Sequence, residues 1–119
     1  MTVADVEASV GFFTEHFGYQ VAMSGDGFAS LRRDDEAIGI VLVRTGLDVM
    51  PAADRDRHAD GVIVAFVVDD LEGELARLTK EGVTITLPPR TEERGERLFQ
   101  VKDPNGVTVE LVDWWPRIE

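Results

Sequence analysis

Glu110 sits in the middle of "VTVELV", Val107–Val112, an otherwise apolar run close to the C-terminal end. A carboxylate is costly to bury unless it is paired or bound to a metal. Glu110 therefore either lines a cleft that holds a cation or polar ligand, or faces water. Few other side chains offer chemistry. Cysteine is absent, which removes disulfides, thiolate metal sites and a cysteine nucleophile. The histidines are His16 and His58. A catalytic zinc site takes two or three histidines, so a metal site here would have to lean on carboxylates. His16 falls in the last turn of a predicted helix, where the helix dipole favours a cation, and His58 in the charged loop "DRDRHADG"; both read as surface residues. Trp114 and Trp115 offer large rigid faces suited to planar or cationic ligands. No Ser-His-Asp set is legible, and the glycines at 25, 27, 95 and 106 have turn spacing rather than phosphate-loop spacing.

The elements that must position Glu110 come as an internal repeat. "VADVEASVGFFTEHFGYQV" begins at Val3 and "VDDLEGELARLTKEGVTIT" at Val68. Val3, Asp5 and Glu7 align with Val68, Asp70 and Glu72, and Gly18 aligns with Gly82 after one residue of slip. Asp5 and Asp70 predict helix N-caps, and Gly18 and Gly82 predict the left-handed residue that ends each helix. Between them Val6, Val10, Phe13 and Phe17 form one apolar stripe, and Leu71, Leu75 and Leu78 another. So Asp69-Asp70 is a helix start, not a catalytic dyad.

After each helix the apolar period becomes two. "YQVAMS" and "FASLRR" flank Gly25-Asp26-Gly27, a hairpin signal, and "AIGIVLVR" follows. In the second half "VTITL", "RLFQVK", the turn "DPNG" and "VTVELVD" follow in order. Each half therefore reads β-α-β-β-β, about residues 1–45 and 61–115, within one 119-residue domain. The polar stretch Thr45–Gly61 reads as a linker or long loop and Pro88–Glu96 as a second loop. Val62–Val68 is apolar throughout, which predicts burial on both faces.

The formal net charge of −11, with 23 acidic against 12 basic residues, argues against nucleic acid, whose phosphates are held by Lys and Arg. No apolar run approaches the roughly 20 residues of a membrane span. A soluble, cytoplasmic protein without a membrane or nucleic-acid partner is expected.

The segments "VADVEASVGFFTEHFGY", "VAFVVDDLEGELARLTKEGV" and "FQVKDPNGVTVELVDW" together resemble the glyoxalase / bleomycin-resistance / extradiol-dioxygenase superfamily, the vicinal oxygen chelate fold. The resemblance implies an α+β fold in which two βαβββ modules form a curved sheet around a concave cleft, commonly in a homodimer. It also implies a divalent metal in the enzymes of the family, held from the first and last strands of each module. Carried over residue by residue, the last-strand ligand of the second module falls on Glu110. The second module's histidine falls on Ile63, the first module's last-strand position near Ile40 or Val41, and its first-strand position before Met1. One ligand of four is present, so the resemblance implies no metal here and no cofactor, with a divalent metal as the alternative.

Strand alternation then suggests a ligand-binding lining. Glu110 shares its face with Thr108 and Val112, and the neighbouring apolar strand adds Ile63, Ala65 and Val67. The hairpins add Phe28, Ser30 and Arg32, and Leu98, Gln100 and Lys102, while Ile38, Ile40 and Leu42 continue the wall and Trp114 and Trp115 close it. Arg32 and Lys102 read either as solvated edge charges or as partners that neutralise Glu110. The expected function is metal-free binding of a hydrophobic or planar small molecule, such as an antibiotic or metabolite, as in bleomycin-resistance proteins. The alternative is a glyoxalase-type lyase, isomerase or dioxygenase, metal-dependent or using Glu110 as the catalytic general base.

Overall fold

The computed structural model describes residues 1–34, 38–93 and 95–114. The chain divides into two compact units, Met1–Gly61 and the residues from Val62 onward. The first unit runs β1 (Thr2–Val3), α1 (Val6–His16), β2 (Gln20–Gly25), β3 (Phe28–Arg32) and β4 (Ile40–Arg44). The second runs β5 (Ile63–Val67), α2 (Leu71–Lys80), β6 (Ile85–Thr91), β7 (Glu96–Lys102) and β8 (Thr108–Trp114). The sheets repeat one topology: β1-β4-β3-β2 and β5-β8-β7-β6. In each, the first strand lies parallel to the last and the other pairs are antiparallel. This is the α+β, twice-βαβββ architecture that the repeat predicts.

The helices start and stop where their end residues dictate. Asp5 accepts a hydrogen bond from the Ala8 amide at 3.1 Å, and Asp70 accepts one from the Gly73 amide at 3.0 Å. Each such cap stabilises a helix by about 1 kcal/mol. Gly18 and Gly82 follow the last turns at φ 71° and 85°, a conformation that only glycine adopts freely. Arg77 supports the last turn of α2 through Glu74 at 2.6 Å and Glu81 at 3.2 Å, and Arg97 ties β7 to α2 through Glu72 at 2.8 Å.

Each helix covers one face of its own sheet. In the first unit Phe13 is fully buried among Phe12, Phe17 and Tyr19, above Leu31 and Leu42. In the second, Leu71 and Leu78 of α2 are buried with Phe99, Val101, Val109 and Leu111 of the sheet. Residues on alternate strand positions form the other, open face.

Two expectations change and a third, the long loop after β4, gains its contacts. Val62–Val68 is not buried on both faces. β5 is the edge strand of its sheet; Val64 and Phe66 are half-buried on the α2 side, while Ile63 is 55% and Val67 73% exposed on the open side. Pro88 and Pro89 lie not in a loop but inside β6. They fit there because β6 is also an edge and its register shifts between Leu87 and Arg90, where no ladder donor is required. The stretch after β4 is a folded loop of the first unit. Turns close it through the Gly46 amide to Arg55 O and the Arg57 amide to Asp54 O, at 2.8 and 3.1 Å. It then covers the outer edge of β1: the Ala59 amide donates to Thr2 O at 2.6 Å, and the Thr2 hydroxyl donates to Arg57 O.

Candidate functional site

Glu110 occupies the middle of β8, a strand with neighbours on both sides. Its register is set one turn earlier. The Asp103 carboxylate is 4% exposed and accepts from the amides of Asn105 at 2.9 Å and Val107 at 2.8 Å. The Asp103 amide donates back to Val107 O at 3.0 Å. The "DPNG" segment thus locks β7 against β8, so that Lys102 faces Thr108, Gln100 faces Glu110 and Leu98 faces Val112. Ala65 stands opposite Glu110 on β5, and Leu87 opposite Gln100 on β6. Leu87, Gln100, Glu110 and Ala65 therefore form one row across the open face of the second unit.

Within that row the Gln100 side-chain amide donates to Glu110 Oε1 at 2.9 Å. A carboxylate only accepts, so the amide nitrogen is the end that faces it. Glu110 is half-buried and, among the described residues, takes part in no ion pair. Of the partners open to this carboxylate in the sequence, neither Arg32 nor Lys102 pairs with it among the described residues; a neutral amide holds it. Leu98 and Val112 flank the row and are buried; Thr108 is half-buried, and Ile63, Ala65 and Lys102 are exposed.

In the first unit Phe28 faces Val43, Ser30 faces Val41, and Arg32 lies opposite Gln20. These residues form the open face, with Phe28 and Ser30 half-buried and Arg32 exposed. Ile40 and Leu42, expected on the same wall, are on the other side. They pair with Leu31 and Ala29 and are 8% and 0% exposed in the core beneath α1. The expectation is off by one residue, and one residue turns a strand side chain to the opposite face. Val41 and Val43 take their places. Ile38 precedes β4 and is 86% exposed, its carbonyl accepting from the Tyr19 hydroxyl at 3.0 Å. Trp114 closes β8 opposite Glu96, and Trp115 lies outside the described residues.

The repeat identifies Val41 as the counterpart of Glu110. Val43 pairs with Thr2 as Val112 pairs with Val67, and Val41 and Glu110 stand two positions earlier on the same faces. A signal for this was present, since "VLV" at 41–43 aligns with "ELV" at 110–112. The open-face residues Leu87 and Met23, opposite Gln100 and Ser30, also escaped the sequence reading, because β-bulges precede or follow them.

The donor set does not fit the divalent metal that the fold family implies. Among the described residues no group of three or more His, Asp or Glu side chains is arranged to hold an ion. Glu110 has Gln100 and Ala65 as row neighbours, and Val41 and Ile63 have no donor atoms. His16 is largely covered, its ring 5.4 Å from that of Phe12, and His58 is exposed beside its neighbour's carbonyl.

A concavity belongs to the first unit alone. A cavity of about 470 Å³ lies between the start of α1 and the β2–β3 hairpin, lined by Val6, Val10, Val21 and Phe28 with Glu7, Asp26 and Arg44 among its polar residues. Arg44 and Asp26 pair at 3.3 Å.

The sequence matches the Glyoxalase/Bleomycin resistance protein/Dioxygenase superfamily over residues 1–111, and the chain belongs to that superfamily. Among solved structures, a glyoxalase/bleomycin resistance protein/dioxygenase from Nocardioides superposes with a TM-score of 0.78 at 23% identity, covering 96% of this chain and 79% of that one. Lactoylglutathione lyase from Agrobacterium tumefaciens superposes at 0.76 with 16% identity, covering 95% and 88%. TioX from Micromonospora sp. ML1 does so at 0.69 with 22% identity, covering 95% and 94%. At these identities the likeness concerns the fold. No curated protein matches the sequence. Among the described residues no helix is long and apolar enough to cross a membrane.

Proposed function

We propose that this chain is a metal-free small-molecule-binding member of its superfamily, resembling the bleomycin-resistance proteins in use of the fold, and that the open face of its second unit carries the site. The observation that supports this most directly is the Gln100–Glu110 pair, half-buried on a sheet face between apolar Leu98 and Val112 on one side and Thr108 and Lys102 on the other, with one carboxylate oxygen left without a partner among the described residues. A few convergent polar groups on an apolar surface are what small-molecule sites present. Half-buried Leu87 and exposed Ala65 and Ile63 supply a surface for a hydrophobic or planar body, and the pair supplies orientation. Exposed Ile63 and Val67 on the edge strand support pairing with a second copy as a homodimer.

The test has two stages. Elemental analysis of protein purified without chelator, before and after soaking with Mn, Ni, Zn or Fe, should find no stoichiometric metal. Thermal-shift screening of antibiotics and aromatic metabolites should then find stabilising ligands whose effect is lost in Glu110→Gln. Near-stoichiometric metal would sink this reading and restore metal-dependent catalysis.

A second reading is a metal-independent enzyme in which Glu110 acts as general base. It is favoured by the carboxylate oxygen that has no partner among the described residues, on a group already oriented by Gln100. Glu110→Gln that still binds ligand but abolishes turnover would select it.

A further inference from the structure

Resting on the binding reading above, we infer that the second unit's open face selects ligands that carry an N–H-bearing cation, an amidinium, guanidinium or ammonium group, on an apolar body. The inference comes from what the row can and cannot do. Glu110 is an acceptor only, with lone pairs on both oxygens. Gln100 satisfies one oxygen with a neutral donor and leaves the charge of the carboxylate uncompensated. Its row neighbours Leu87 and Ala65, and Leu98 and Val112 on one flank, bring no donor; on the other flank stand Thr108 and the exposed Lys102, and among the described residues neither hydrogen-bonds or ion-pairs with Glu110. When Gln100 turns its nitrogen to Glu110, its own side-chain carbonyl becomes a second acceptor on the same row.

An apolar ligand settling over this row removes water from Glu110 and returns nothing to it, which leaves a desolvated charge. An anion adds repulsion. A neutral amide returns a hydrogen bond. A cation with N–H groups returns both hydrogen bond and charge, and charge-assisted bonds of this kind are the strong ones. The site therefore discriminates by penalty as much as by attraction. Within the chain's net charge of −11, the long-range field favours the same ligands. The first unit offers the contrast: its corresponding positions are Ser30 and Val41, without a carboxylate.

Three probes of one shape test this: benzamidinium, benzamide and benzoate, titrated into the intact chain with methyl-labelled Ala, Leu and Val and followed by NMR at about 150 mM salt to suppress diffuse attraction. The expected result is perturbation of the Ala65, Leu98 and Val112 methyls in the order benzamidinium, benzamide, benzoate. Between the first and last the affinity should differ by about tenfold or more. Glu110→Gln should bring benzamidinium and benzamide together, because it keeps an acceptor for Gln100 and removes only the charge. Equal perturbation by all three probes would overturn the charge preference and leave the site standing. So would a preference that persists in Glu110→Gln, or one that maps to other methyls. No perturbation of these methyls by any probe would overturn the site itself, and the inference with it.

Discussion

The two units are built on one ladder and differ where it matters for chemistry. On their open faces Phe28 stands where the second unit has Leu98, Arg32 where it has Lys102, and Val43 where it has Val112. These exchanges keep character. Ser30 and Val41, however, stand where the second unit has Gln100 and Glu110, and there a small hydroxyl and a hydrocarbon replace a hydrogen-bonded amide and carboxylate. The elements of the fold are duplicated: the capping Asp5 and Asp70, the terminating Gly18 and Gly82, the fully buried helix residues Phe13 and Leu78. The polar pair is not. Residues that close helices or fill the core are held in both copies by the same physics. The middle of an open sheet face is free to differ, because folding asks little of it.

The largest expected effect tests whether the cores are equivalent. Phe13→Ala and Phe99→Ala each remove a fully buried ring, and each should destabilise by roughly 3–5 kcal/mol in urea unfolding. A cost below about 1 kcal/mol for one of them would show that one unit does not depend on its core as the other does.

Asp103→Ala comes next. It leaves the Val107 and Asn105 amides without their acceptor at a buried turn, so a loss of about 2–4 kcal/mol is expected. Hydrogen exchange should accelerate first at Val107. Unchanged protection there would mean that the turn is held by other contacts and that Asp103 does not set the register of Glu110.

Glu110→Gln should alter stability by less than about 1 kcal/mol, since the Gln100 bond keeps an acceptor. Its effect belongs to ligand binding, read as loss of the benzamidinium preference. The smallest effect sharpens the comparison in the other direction. Val41 is 51% exposed, so Val41→Glu should shift stability by no more than about 0.5 kcal/mol. Alone it should give the first unit no cation preference; combined with Ser30→Gln it should give one, read at the Val43 methyls. A preference from Val41→Glu by itself would mean that the neutral amide contributes nothing to the site.

How much of this was legible depends on the range of the signal. Asp5, Asp70, Gly18 and Gly82 act on backbone groups within a few residues, so their roles and the two helices could be read directly. The repeat, the "DPNG" turn and the anomalous Glu110 could also be read, and with them the family. Which residues share a face with Glu110 was legible on β7 and β8, where an unbroken antiparallel register runs from Lys102 and Thr108 outward. On β4 it was not, because the sequence does not give the register of β4 against β3, and one residue moved Ile40 and Leu42 into the core.

The sequence by itself therefore determined the elements, their order, the duplicated architecture and the presence of a carboxylate in an apolar strand. Local propensity and period-two alternation are properties of neighbouring residues, and they survive without a partner strand. Only the tertiary structure decided that Pro88 and Pro89 belong to an edge strand, that β5 leaves one face exposed, and that Arg57–Ala59 covers the edge of β1. It alone decided that Gln100, ten residues before Glu110 and on a different strand, holds that carboxylate. Pairing across strands depends on register and bulges summed over whole turns, and no single residue type encodes that sum.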